Sequence, residues 1–62
     1  MNTSEMKQRF LGAYEQNEAK LKAACRQSGI STSTFYRWIR SDRAFNLAVC
    51  QIMNREVYEV GL

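Results

Sequence analysis

Apolar side chains recur at helical spacing from residue 6 onward. Met6, Phe10, Ala13 and Tyr14 follow i, i+4, i+7, i+8 and form one stripe on a helix surface. Asn2 or Thr3 can cap its start, because a short side-chain oxygen there accepts from an orphan amide of the first turn, and Glu5 stands near the positive end of the helix dipole. The stripe predicts a first helix ending around Glu15 to Asn17, with Asn17 able to close it and cap the next. A second helix is expected over Glu18 to Gln27, with Leu21, Ala24, Cys25 and Ser28 on one face and Lys20, Lys22 and Arg26 pointing elsewhere.

Gly29 stops the second helix, since a helix C-terminus commonly needs one left-handed residue and glycine has no Cβ to oppose it. Ile30 is then expected to pack inward, and Ser31 or Thr32 to cap a third helix. There Phe35, Trp38 and Ile39 share one face, while Ser33, Tyr36, Arg37 and Arg40 lie opposite. Ser41 and Asp42 supply a stop and a cap, and a fourth helix is expected from about 42 to 60. Its apolar residues, Phe45, Leu47, Ala48, Val49, Ile52, Met53, Val57 and Val60, form a band wider than one small domain needs to cover, which implies a partner helix or a second copy. No run alternates at strand period, no repeat is visible and proline is absent.

Length and composition narrow the function. Sixty-two residues make one domain, residues 1–62, and folding at this size buries only about 60% of the surface of the extended chain, which leaves no room for an enclosed active site. Histidine is absent, no Ser or Cys carries a nucleophile signature, and neither a P-loop nor a carboxylate cluster is present, so neither catalysis nor a cofactor is expected. Cys25 and Cys50 stand far apart without a CxxC partner; they read as buried reduced thiols and not as metal ligands. No stretch is apolar enough for a membrane span and the N-terminus lacks a signal-peptide core, so the chain reads as an intracellular, cytoplasmic protein.

Charge is uneven along the chain. The net value is +3, but in residues 20–43 six cations, Lys20, Lys22, Arg26, Arg37, Arg40 and Arg43, face Asp42 alone, which leaves +5 in the middle third. A basic block of this kind favours a polyanion, because Lys and Arg contacts to phosphates release condensed counterions. Around Gly29 the spacing also fits two helices crossing near a right angle through a three-residue turn: small Ala24 and Cys25 before the glycine, then Ile30, Phe35 and Trp38 after it. The motif occupies about 18–41. Its third helix is the expected reader, with Tyr36, Arg37 and Arg40 on the outer face and Ser31, Thr32 and Ser33 at the end that enters a groove first. Lys20, Lys22 and Arg26 are expected to touch the phosphate backbone, and Arg43 is counted with the DNA-binding residues. Lys7, on the first helix, lies away from that surface. The other reading of the same residues is a helical protein-interaction domain whose basic face is merely solvated.

The run AACRQSGISTSTFYRWIRSDRAFNLAV resembles the N-terminal helix-turn-helix of bacteriophage terminase small subunits, through Gly29, Ile30, Ser31, Ser33, Thr34, Phe35, Tyr36, Arg37 and Trp38, then Asp42 and Phe45. FLGAYEQN is similar to that family's first helix, so the likeness covers about residues 9–50. Arg43 departs from it, standing where the family often has proline, which should weaken the start of the fourth helix. The resemblance implies an all-α, compact, homeodomain-like helix-turn-helix bundle of three helices, plus a fourth C-terminal helix leading toward an oligomerisation region. It also implies recognition of a packaging site on double-stranded phage DNA, presentation of that DNA to the large terminase subunit, homo-oligomers in a longer chain and a place in the host cytoplasm. Transposase, resolvase and regulator domains share the fold.

Overall fold

The computed structural model describes the backbone of residues 2–61 and the side chains of residues 2–55. Four helices follow one another: α1 (Thr3–Gln16), α2 (Leu21–Ser28), α3 (Thr32–Ser41) and α4 (Arg43–Gly61). Local chemistry sets three of the four starts. Asn2 Oδ1 accepts from the Glu5 amide at 2.8 Å, Ser31 Oγ from the Thr34 amide at 3.1 Å, and Asp42 Oδ1 from the Phe45 amide at 3.1 Å. Gly29 closes α2 in the left-handed region at φ 79°. Asp42 is the single residue between α3 and α4, and its cap lets α4 begin at Arg43 with no need of a proline there.

The second helix starts later than its sequence pattern suggests. Glu18 and Ala19 both take left-handed backbone angles, φ 56° and 62°, and two such residues in succession break a right-handed helical path. Asn17 closes α1 but does not cap α2. Its side-chain amide donates to the Ala13 carbonyl at 2.7 Å and to Gln27 Oε1 at 2.8 Å, and Gln27 donates in turn to Gln16 Oε1. Lys20 therefore stands at the α2 N-cap without a side-chain bond to the helix start, and the motif runs from Leu21 rather than from Glu18.

The core is aromatic. Phe10 is fully enclosed, and its ring lies 5.5 Å from Tyr14, 5.2 Å from Phe35 and 5.7 Å from Phe45, while Trp38 meets Phe45 edge-on at 5.4 Å. Pairs of this geometry contribute about 0.5–1.5 kcal/mol beyond their buried area. Ala13, Ala24, Cys25, Val49 and Ile52 fill the spaces between the rings, and Met6, Leu11, Leu21, Ile30 and Ile39 close the margin. Burial raises the Tyr14 hydroxyl and the Cys25 thiol above their ordinary pKa values, with the Cys50 thiol adding to the effect on Tyr14. The two cysteines differ: Cys25 is buried as expected, but Cys50 is exposed, because it falls on the side of α4 opposite Phe45, Val49 and Ile52. Leu47 and Met53 are likewise exposed, at 56% and 46%. Val57 and Val60 lie outside the residues whose side chains are described.

Candidate nucleic-acid interface

α3 is amphipathic in a sharply divided way. Phe35 and Trp38 point into the core and Ile39 is half-buried beside them, so the residues between are turned outward by the 100° step of the helix. Ser33, Tyr36, Arg37, Arg40 and Ser41 together line one shallow depression on the outer surface. Tyr36 is 52% exposed, yet its ring packs edge-on against Phe35 at 5.2 Å, which fixes the direction in which its hydroxyl leaves the surface. Sequence reasoning missed Ser41 as part of this surface. Its signal was available, since it stands one turn beyond Arg37 and donates its hydroxyl to the Arg37 carbonyl at 2.9 Å.

The other predicted contact residues are distributed around this depression, not gathered in it. Ser31 and Thr32 are exposed at the start of α3. The Ser31 hydroxyl is engaged by the Thr34 amide and lies 3.1 Å from the Thr34 hydroxyl, so its structural work is the cap, while the first amides of α3 stay open to an acceptor from outside. Lys22 and Arg26, four residues apart, share a side of α2, and Lys20 precedes that helix; all three are exposed. Arg43 is exposed at the first position of α4.

The electrostatics favour an anion. α3 contains no acidic residue, and among the described residues neither Arg37 nor Arg40, nor any of Lys20, Lys22, Arg26 and Arg43, forms an ion pair. Asp42, the one acid of this segment, is occupied elsewhere. Lys7 Nζ donates to Asp42 Oδ2 at 2.7 Å and sits 5.6 Å from the centre of the Trp38 ring. The Lys7 hydrogen bond, then the Phe45 amide, hold the Asp42 carboxyl below its ordinary pKa, so it is ionised at neutral pH. Lys7 is thus not the idle charge its place on the first helix suggested; it joins α1 to the junction of α3 and α4. A second ion pair, Arg55 with Glu15, ties α4 back to α1 on the surface.

Among the described residues no group of three or more His, Cys, Asp or Glu comes together that could hold a metal ion, and no helix is long and apolar enough to cross a membrane. The family model for a homeodomain-like domain matches residues 1–42, which covers α1, α2, α3 and the Asp42 cap. No curated protein and no solved structure matches the chain.

Proposed function

The chain belongs to the homeodomain-like domain family, which supports a helix-turn-helix DNA-binding domain, and from that premise we propose that it binds double-stranded DNA with α3 in the major groove. One observation carries the reading: Ser33, Tyr36, Arg37 and Arg40 form an outward surface without an acidic neighbour, on the helix whose other side is locked into the core. The groove admits a helix, arginine can donate two hydrogen bonds to a guanine edge, and a tyrosine ring can meet a thymine methyl or its hydroxyl a phosphate. Thr32 and the Ser31 and Ser33 end of α3 approach the backbone first, and Lys20, Lys22, Arg26 and Arg43 hold flanking phosphates. The domain acts by binding, without catalysis of its own.

The finer proposal is that the DNA is a viral packaging site, recognised in the host cytoplasm and handed to a large terminase subunit. It is supported by the resemblance of the Gly29 to Phe45 run to terminase small subunits. A regulator or transposase domain is equally compatible with the family. Titration with nonspecific duplex tests the binding itself: affinity should fall steeply as salt rises, with a log–log slope of about −0.9 per phosphate neutralised. Absence of binding at low salt would leave the basic face as a solvated surface and favour a protein-interaction domain. Addition of the matching large subunit to the DNA complex tests the packaging role, which fails if no ternary complex forms.

A further inference from the structure

The acid-free outer surface of α3 depends on a contact made from the other side of the molecule. Residues 20–43 hold one acid, Asp42, which stands two residues after Arg40 and one before Arg43. Both arginines are exposed, and two residues of chain span at most about 7 Å, so either guanidinium can reach a free carboxylate at position 42. An ion pair formed there would occupy the same fork of N–H groups that a phosphate or a guanine edge needs.

In the folded chain that carboxylate is already taken. Oδ1 accepts from the Phe45 amide at 3.1 Å and Oδ2 from Lys7 Nζ at 2.7 Å. Lys7 reaches this point from α1, with its ammonium 5.6 Å from the centre of the Trp38 ring, so the aromatic core and the carboxylate together fix where it sits. The pair lies on a different side from the reading surface. Lys7 and Asp42 line a recess between α1 and α4 with Leu11 and Phe45, whereas Arg40 and Ser41 line the depression of α3.

We propose that Lys7 is a positioning residue of the DNA-binding surface: by holding Asp42 toward α1 it keeps the one acid of the 20–43 segment from pairing with Arg40 and Arg43, and leaves both free for DNA. The inference rests on the DNA-binding reading, so wild-type binding is measured first. Absence of binding at low salt overturns that reading and this inference with it; binding by the wild type lets the variants test Lys7 alone. Both partners keep part of their surface in water, with side chains 21% and 29% exposed, so the domain stays folded when the pair is broken.

At fixed salt, Lys7→Met should bind duplex at least about fivefold more weakly, the lower bound for a lost arginine contact. In an Asp42→Asn background the same substitution should cost less than about twofold, since no carboxylate is left to release. Asp42→Asn alone should bind at least as tightly as wild type, although it too has lost the ion pair. Wild-type affinity in Lys7→Met would overturn the proposal. So would equal losses in the two backgrounds, which would make Lys7 a direct contact or a mere contributor to net charge. A loss in Asp42→Asn equal to that in Lys7→Met would also overturn it, leaving the pair as a structural bond only. The unaltered chain gives a measurement that no unfolding can obscure: amine acylation read by mass spectrometry should modify Lys7 at the same rate with and without duplex, and protection of Lys7 by DNA would show it to be a contact instead.

Discussion

α3 and α4 use the same inner half and opposite outer halves. Phe35 and Trp38 on one helix and Phe45, Val49 and Ile52 on the other meet in a single aromatic core, and the two helices are separated only by Asp42. Outward, α3 offers two serine hydroxyls, a phenol and two guanidinium groups without an ion pair among the described residues, whereas the middle of α4 offers a leucine, a thiol and a methionine. What the helices do for the fold is therefore nearly interchangeable, and what distinguishes them is which partner the other side can accept. A polyanion suits the first and an apolar surface the second.

The largest effects should fall on the half they share. Trp38→Ala and Phe45→Ala each remove one ring of an edge-on pair, and aromatic-to-alanine truncations in cores cost about 3–5 kcal/mol. Small domains hold only roughly 0.05–0.15 kcal/mol per residue, so each variant should lose most of its cooperative melt. Because the rings touch, the double variant should cost less than the sum of the two. A Trp38→Ala melt equal to wild type would remove the common core from the comparison and reverse the assigned facing of α3.

Much of this division was legible in the sequence because it is written in local periodicity. The stop at Gly29, the cap at Asp42 and the inner face of α3 follow from residue type and spacing and are found where expected, and of the cap pairs Asn2 or Thr3 and Ser31 or Thr32 the first member of each does the capping. The turn between α1 and α2 was not legible. A non-glycine pair at positive φ has no composition signature, and Glu18 and Ala19 read as good helix formers; tertiary packing of Ala19 against the core and the Asn17–Gln27–Gln16 network accompany the break. The α4 band illustrates a second limit: periodicity shows how many apolar residues a helix carries, but only the packed neighbours decide that Phe45 is covered and Leu47 is not. The same holds for Lys7, whose partner Asp42 lies too far along the chain for any spacing rule to join them.

Loss of the outer groups of α3 should leave the fold alone and act on the partner. Arg37→Ala with Arg40→Ala should melt within about 0.5 kcal/mol per site of wild type. A base-directed contact is worth about 1–3 kcal/mol of binding, and each lost phosphate contact lowers the salt slope by about one, so most DNA affinity should disappear. Arg9→Ala is the matched control: Arg9 is exposed on α1 and has no ion pair among the described residues. Equal losses from Arg9→Ala and from one arginine of α3 would mean that binding follows net charge alone, and the contrast between the two outer halves would then carry no specificity.

The smallest effect concerns the residue the two helices share. Asp42 ends α3, caps α4 and holds Lys7, and its carboxyl pKa is depressed chiefly by the Lys7 hydrogen bond and then by the Phe45 amide; desolvation opposes them, and the Lys7 charge and the Ala44 amide add lesser depressions. A carboxyl whose folded pKa lies below its unfolded value contributes stability that is complete above the ordinary carboxylate range and is lost as pH falls through the lowered folded value. The melting temperature should accordingly decline with acid from about pH 4 downward. Asp42→Asn keeps an amide oxygen able to cap α4 but removes the charge. At neutral pH it should melt lower than wild type, and the gap should narrow in acid as the wild-type carboxyl takes up its proton. Lys7→Met, which keeps an apolar stem beside Trp38, should melt lower at neutral pH and flatten the acid decline, since the largest cause of the depression is gone and the folded pKa returns toward the unfolded value. A constant gap between wild type and Asp42→Asn from pH 7 to pH 2 would show that the charge on Asp42 contributes nothing, and that α3 and α4 are joined through their rings alone.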